Sequence, residues 1–269
     1  MSRISAALAR AREENRGALV VYLTAGDPSV ATTGELVCEL DRRGVDVIEL
    51  GLPFSDSLAD GPTIQAACHR AIAGGTTPAG VLDLVAELRR STPIPLLIMT
   101  CFNLIQHQGL QAFADRAAEA GVDGVLVSDL PPSEAQEWVA VARARGLDTI
   151  FLVAPTTPPE RARLIVELCS GFVYCVSVTG VTGARGALPP GLGGLIARVR
   201  SLTGLPLAVG FGVSSADQVA AVCRLADGAI VGSAVVAEIA ARAGDEGLVP
   251  AVGEFVGALV QGTRATGAN

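Results

Sequence analysis

Eight short apolar runs, each followed by a stretch with helical spacing, limit what this 269-residue chain can fold into. The runs fall at 18–24, 45–50, 94–99, 122–127, 147–153, 172–176, 206–209 and 228–231. They are continuous rather than alternating, as in parallel strands covered on both faces. Helical spacing fits 30–43, 63–73, 79–90, 110–120, 133–145, 159–169, 192–201, 216–224 and 249–259. A further helix precedes the first run, with Ile4, Leu8 and Ala11 on one side. The sequence therefore predicts an α/β chain: one (β/α)8 TIM barrel over 1–269, with an extra N-terminal helix, a helix in the loop region after the second strand, and a frayed tail at 262–269. An open doubly wound sheet is the alternative, although it does not require eight strand–helix units in one domain. A weak repeat recurs at helix ends: Gly44-Val-Asp, Gly121-Val-Asp and Leu225-Ala-Asp, each followed by a strand.

Composition narrows the function. The net charge is −7 and the basic residues are scattered, which argues against a nucleic-acid surface. No apolar run reaches the ~20 residues needed to span a bilayer. Residues 1–15 mix Arg, Glu and Ala and lack the apolar block of a secretory signal. The six cysteines form no Cys-x-x-Cys pair, which fits reduced thiols in the cytoplasm. The two histidines, His69 and His107, lie far from the acidic candidates in sequence and read as ordinary helix or surface residues. No metal site and no Ser-His-Asp triad is expected.

The chemistry gathers where barrel enzymes keep it, on the loops after the strands. Glu49 sits near the end of the second strand, and Asp56 and Asp60 follow on its loop. A Glu in an apolar strand is costly to bury ionised without a partner. It is a candidate acid or base; the competing reading is a Glu that caps a loop or pairs with an Arg. Gly210-Phe-Gly-Val-Ser214 and Gly232-Ser-Ala234 follow the last two strands. Glycine there lets backbone N–H groups approach a phosphate; tight turns without a ligand are the alternative. The long loop at 177–188 has the length of a lid, with Thr182 and Arg185 as its polar groups.

These residues carry a resemblance. The chain resembles the alpha subunit family of tryptophan synthase from end to end. The matching segments are Leu23-Thr-Ala-Gly-Asp-Pro28, Ile48-Glu-Leu-Gly-Leu-Pro-Phe-Ser-Asp56, Leu58-Ala-Asp-Gly-Pro-Thr-Ile-Gln65, Ser177-Val-Thr-Gly-Val-Thr-Gly183, Gly210-Phe-Gly212 and Gly232-Ser233. The resemblance implies cleavage of indole-3-glycerol phosphate to indole and glyceraldehyde 3-phosphate in tryptophan biosynthesis. It implies Glu49 and Asp60 as the catalytic pair and Tyr174 as a pocket wall. It implies Gly183, Gly210, Gly212, Gly232 and Ser233 at the phosphate, Phe211 at the same end of the barrel, and Thr182 as a lid residue that touches Asp60. No cofactor is expected in this chain. Pyridoxal phosphate belongs to the expected partner, the tryptophan synthase beta subunit, in an alpha2-beta2 assembly in the cytoplasm.

Three places depart from the family pattern. Ser57 and Val21 stand where Pro is usual, and the run Thr100-Cys-Phe-Asn-Leu104 has Cys101 for an aromatic wall and Leu104 for Pro. They keep open a stand-alone lyase that supplies free indole to another pathway. A docking subunit without catalysis is a third reading, against which the intact Glu49 and Asp60 argue.

Overall fold

The computed structural model describes residues 1–56, 60–177, 189–210 and 212–264. Its centre is one parallel sheet of nine strands: β1 (Ala18–Thr24), β2 (Val47–Gly51), β3 (Leu96–Thr100), β4 (Gly124–Val127), β5 (Asp148–Ile150), β6 (Leu152–Val153), β7 (Val173–Val176), β8 (Leu207–Gly210) and β9 (Gly228–Val231). The order is β5-β4-β3-β2-β1-β9-β8-β7-β6. The two ends of that order are halves of one expected strand, separated only by Phe151. Ile150 pairs with Leu126 on one side, and Leu152 pairs with Tyr174 on the other. The sheet thus returns on itself through a single interrupted run, and eight strand positions make the barrel.

Side chains alternate between two cores. Val20, Val47, Leu97, Leu126, Ile150 and Ala208 belong to a cluster inside the barrel. Leu19, Val21, Ile48, Leu96, Ile98 and Val125 pack outward in a second cluster with apolar side chains of the surrounding helices. Both faces of each strand are therefore buried, which is why the runs read as continuous. The N-terminal helix α1 (Arg3–Glu13) adds Ile4, Ala7, Leu8 and Ala11 to the inner cluster and closes that end of the barrel. Ser2 caps this helix through the Ser5 N–H at 3.1 Å and also bonds the Asp148 carboxylate.

Two helices follow β2, as expected: α3 (Pro62–Ala73) and α4 (Pro78–Leu88), with α2 (Val30–Arg42) between β1 and β2. Arg70 of α3 grips Asp27, in the loop after β1, with two bonds of 2.8 and 2.7 Å. Two observed helices carry no clear sequence signal, α5 (Phe102–Gln108) and α11 (Ser233–Ala241). The first is short and lacks a side-chain cap. The second is almost wholly apolar and follows β9 after Gly232 alone, so its period is hidden. Between them run α6 (Leu110–Ala120), α7 (Gln136–Ala144), α8 (Pro159–Leu168), α9 (Leu192–Arg200) and α10 (Ala216–Cys223). The last helix, α12 (Leu248–Thr263), runs beyond the expected end at 259. Residues 262 and 263 are not frayed: Thr263 is buried, and its hydroxyl donates to the Val260 carbonyl at 2.8 Å. Residues 265–269 lie outside the described set.

The weak repeat has a structural cause. Asp46, Asp123 and Asp227 each sit just before a strand and accept the first amides of the preceding one. Leu19 N–H reaches Asp46 at 2.9 Å, Leu96 N–H reaches Asp123 at 2.8 Å, and Leu207 N–H reaches Asp227 at 2.8 Å. Each also meets an arginine: Arg16 forks onto Asp46 at 2.7 and 2.8 Å, Arg89 bonds Asp123 at 2.5 Å, and Arg200 bonds Asp227 at 2.6 Å. These clamps hold the end of the barrel opposite the functional loops.

Burial ranks the clamps. Asp46 and Arg16 are 1% and 12% exposed, whereas Asp227 and Arg200 are 22% and 42% exposed. Asp46→Ala strips two bonds from the buried Arg16, which keeps only Glu14 and the Gly17 carbonyl, and leaves the Leu19 amide unpaired, so it should cost roughly 3 kcal/mol. Asp227→Ala should cost about 1–2 kcal/mol, because water can replace much of what is lost. Urea unfolding of both variants checks the order.

Candidate active site

Glu49 lies two residues after Val47 on the same inward face of β2. Its side chain is buried, and its Oε1 finds no hydrogen-bond partner. Among the described residues it forms no ion pair. Burial pushes its carboxyl up to about 8, and the Asp60 charge adds to the effect. At neutral pH Glu49 is therefore an acid with a proton to give.

Asp60 ends the loop after β2, immediately before Gly61, the N-cap of α3. Its backbone carbonyl accepts from Gln65 Nε2 at 2.9 Å, which fixes the chain where the helix starts. Partial burial raises its carboxyl to about 6. Near pH 7 it is mostly ionised while Glu49 is not. Both carboxyls line one cavity at the carboxyl ends of the strands. Tyr22, Met99, Tyr174 and Ile230 form its walls, with Ile64 from α3.

Gly212, Gly232 and Ser233 close another side of the cavity. Gly212 has φ +86°, a left-handed conformation suited to glycine. Gly232 precedes α11, and no side chain caps that helix. Its first amides are thus available to an anion, assisted by the helix dipole. Gly210 has a different task from close backbone approach alone. A Cβ there would lie 2.3 Å from the Tyr174 hydroxyl, so the glycine makes room for the tyrosine. Thr182, Gly183 and Phe211 lie outside the described residues, as do Arg185 and Ser57.

A second cavity adjoins the first and shares Tyr22, Asp60 and Met99 with it. Cys101 and Cys68 face it, with Phe54 and Leu52. Burial raises the Cys101 thiol above its ordinary value, so this residue fills space and is not an activated nucleophile. His69 and His107 are exposed on α3 and α5, away from both carboxyls. Among the described residues, no three His, Cys, Asp or Glu side chains gather to hold a metal.

Sequence reasoning missed Tyr22, Ile64, Met99 and Ile230 as cavity walls. Three of them occupy inward positions of β1, β3 and β9. Tyr22 is the ladder partner of Glu49. Apolar and aromatic residues at such positions are indistinguishable from core until the barrel closes.

Comparison with known proteins gives concordant matches. The family model described as Tryptophan synthase alpha chain matches residues 8–263. A tryptophan synthase alpha chain from Geobacter sp. (strain M21) is 49% identical over 97% of this chain and 98% of its own. One from Citrifermentans bemidjiense is 50% identical over the same shares. A solved Mycobacterium tuberculosis tryptophan synthase superposes with TM-score 0.90 at 38% identity, covering 98% of each chain. Tryptophan synthase subunit alpha from Legionella pneumophila str. Paris gives TM-score 0.90 at 36% identity, with the same coverage.

The raised carboxyl of Glu49 has a consequence for stability. The folded protein favours its neutral form, so this contribution is complete below the ordinary value of 4.5 and is lost as pH rises towards about 8. Glu49→Gln keeps the shape without the ionisation. Relative to wild type, the variant should gain stability steadily from pH 5 to pH 8, on the order of a few kcal/mol. Urea unfolding at both pH values measures it. A constant difference would mean that Glu49 is not held neutral.

Proposed function

This chain belongs to the tryptophan synthase alpha chain family, and we propose that Glu49 and Asp60 carry out the reaction of that family from opposite protonation states. The chain is a lyase: it cleaves indole-3-glycerol phosphate to indole and glyceraldehyde 3-phosphate. The observation that carries the residue assignment is an unpaired, buried Glu49 sharing a cavity with the more exposed Asp60.

The steps follow from the two carboxyls. Neutral Glu49 gives its proton to C3 of the indole, and the ring becomes an indoleninium. Ionised Asp60 accepts the indole N–H and offsets the positive charge that develops. The Glu49 carboxylate then takes the proton of the side-chain hydroxyl beside the scissile bond. The carbonyl of glyceraldehyde 3-phosphate forms, the carbon–carbon bond breaks, and its electrons return to the ring as indole. Glu49 ends with its proton restored.

The remaining assignments support this sequence. The substrate phosphate rests on Gly212, Gly232 and Ser233 at the start of α11, with Gly183, Gly210 and Phe211 beside it. Tyr174 walls the pocket, and Thr182 closes over Asp60. The chain needs no cofactor of its own; pyridoxal phosphate belongs to the beta chain. The partner is the tryptophan synthase beta subunit, in an alpha2-beta2 assembly in the cytoplasm. None of the described helices is long and apolar enough to cross a membrane. The curated relatives are named as alpha chains, and no observation favours the stand-alone reading.

Indole release from indole-3-glycerol phosphate, measured with and without a beta subunit, tests the proposal. The partner should accelerate release strongly, and indifference to it would remove the alpha-subunit role. Glu49→Gln should lower kcat at least about 1,000-fold while the substrate still binds. The pH profile should rise as Asp60 ionises near 6 and fall near 8 as Glu49 loses its proton.

A further inference from the structure

Asp60 works as an anion, yet among the described residues that line its cavities none is positive. The titratable groups around its two cavities are Glu49 from β2, Tyr22 from β1, Cys68 from α3, Tyr174 from β7, and Asp56, Cys101 and Asp129 beyond the strand ends. No Lys, Arg or His is among the described residues that line them. Its carboxylate makes no hydrogen bond to a described residue; only its backbone carbonyl is held, by Gln65. A largely buried carboxylate with neither cation nor donor is costly.

Tyr22 is placed to supply the donor. It points into the barrel beside Glu49, its ladder partner, and its hydroxyl extends past Gly51. A Cβ on Gly51 would lie 2.1 Å from that hydroxyl, so the bare Cα makes the space for it. Thr24, itself buried, donates its hydroxyl to the Tyr22 oxygen at 3.3 Å. One lone pair of the phenol is thereby used, and its proton remains to be given. A hydroxyl that accepts a hydrogen bond is a stronger donor for it. Tyr22 is also one of the three residues common to both cavities, with Asp60 and Met99. Burial, with the Cys68, Asp60 and Glu49 charges in the same direction, keeps the phenol protonated.

We propose that Tyr22 is a positioning residue for the cleavage: held by Thr24 and seated against Gly51, its phenol donates to the Asp60 carboxylate during the reaction, a bond not formed in the structure as it stands, and so keeps it aimed at the indole N–H. The inference rests on the role given to Asp60 above. It adds a two-hydroxyl chain, Thr24 to Tyr22 to Asp60, that offsets the charge of Asp60.

Carbon-13 NMR on protein labelled at aspartate carboxyls and saturated with indole tests it, with the Asp60 signal identified by its loss in Asp60→Asn. In Tyr22→Phe, which keeps the ring, that signal should titrate about one pH unit higher than in wild type. The kcat should fall about 10-fold, as for one hydrogen bond to a charged group, with KM nearly unchanged. Thr24→Val should move both in the same direction by less. An Asp60 titration unmoved in Tyr22→Phe overturns the proposal, even if kcat falls through altered packing. Should Asp60→Asn instead keep wild-type kcat, the role of Asp60 itself fails, and the Tyr22 inference fails with it.

Discussion

The burial of one carboxyl without a counter-charge governs this molecule. Glu49 stands buried on the inner face of a closed barrel, and no cation is among the described residues that line its cavity. Such a group stays protonated at neutral pH, because ionising it there costs more than holding its proton. The reaction needs an acid strong enough to protonate a ring carbon and a base weak enough to be regenerated. A carboxyl lifted towards about 8 meets both conditions with a single side chain. Asp60 differs because it lies on a loop at the cavity's rim and remains in partial contact with water. One barrel thus holds two carboxyls in opposite charge states without a metal or histidine among its described lining residues.

The rest of the fold separates that costly arrangement from what holds the chain together. At the far end of the barrel, Asp46, Asp123 and Asp227 are also buried or partly buried acids, but each meets an arginine and a strand amide. The contrast is instructive: the same residue type is paired where it stabilises and unpaired where it reacts. The α1 helix seals the clamped end with apolar side chains. At the open end, glycine replaces bulk. Gly51 and Gly210 leave room for the hydroxyls of Tyr22 and Tyr174, and Gly232 leaves the start of α11 uncapped. Both tyrosines line the cavity.

Much of this was legible in the sequence. Continuous apolar runs require strands covered twice, and eight of them in alternation with helices leave little besides a barrel. The boundaries of β1 and β9 agree with the reading to the residue. Glu49 stood out because charge in such a run is costly, and Asp60 because it lies on the loop that follows and matches the family pattern. The interruption at Phe151 was not legible, since Ile150, Phe151, Leu152 and Val153 are all apolar and only the closing geometry splits them. Nor was α11, whose apolar faces all look alike. Tyr22 and Met99 were invisible as site residues for a related reason: the inward face of a strand reads as core until the barrel shows that its upper layer borders a cavity. The repeat of Asp before strands was seen, but its purpose required knowing which amide each Asp meets.

The central claim is that Glu49 is a neutral acid at pH 7, and its protonation state can be observed directly. Infrared difference spectra between wild type and Glu49→Gln, recorded across pH 5 to 10, isolate this one carboxyl. The structure predicts a protonated carboxyl C=O band present at pH 7 that disappears with a midpoint near 8. A carboxylate band already complete at pH 6 would contradict it, and the source of the proton delivered to the indole ring would have to be sought elsewhere.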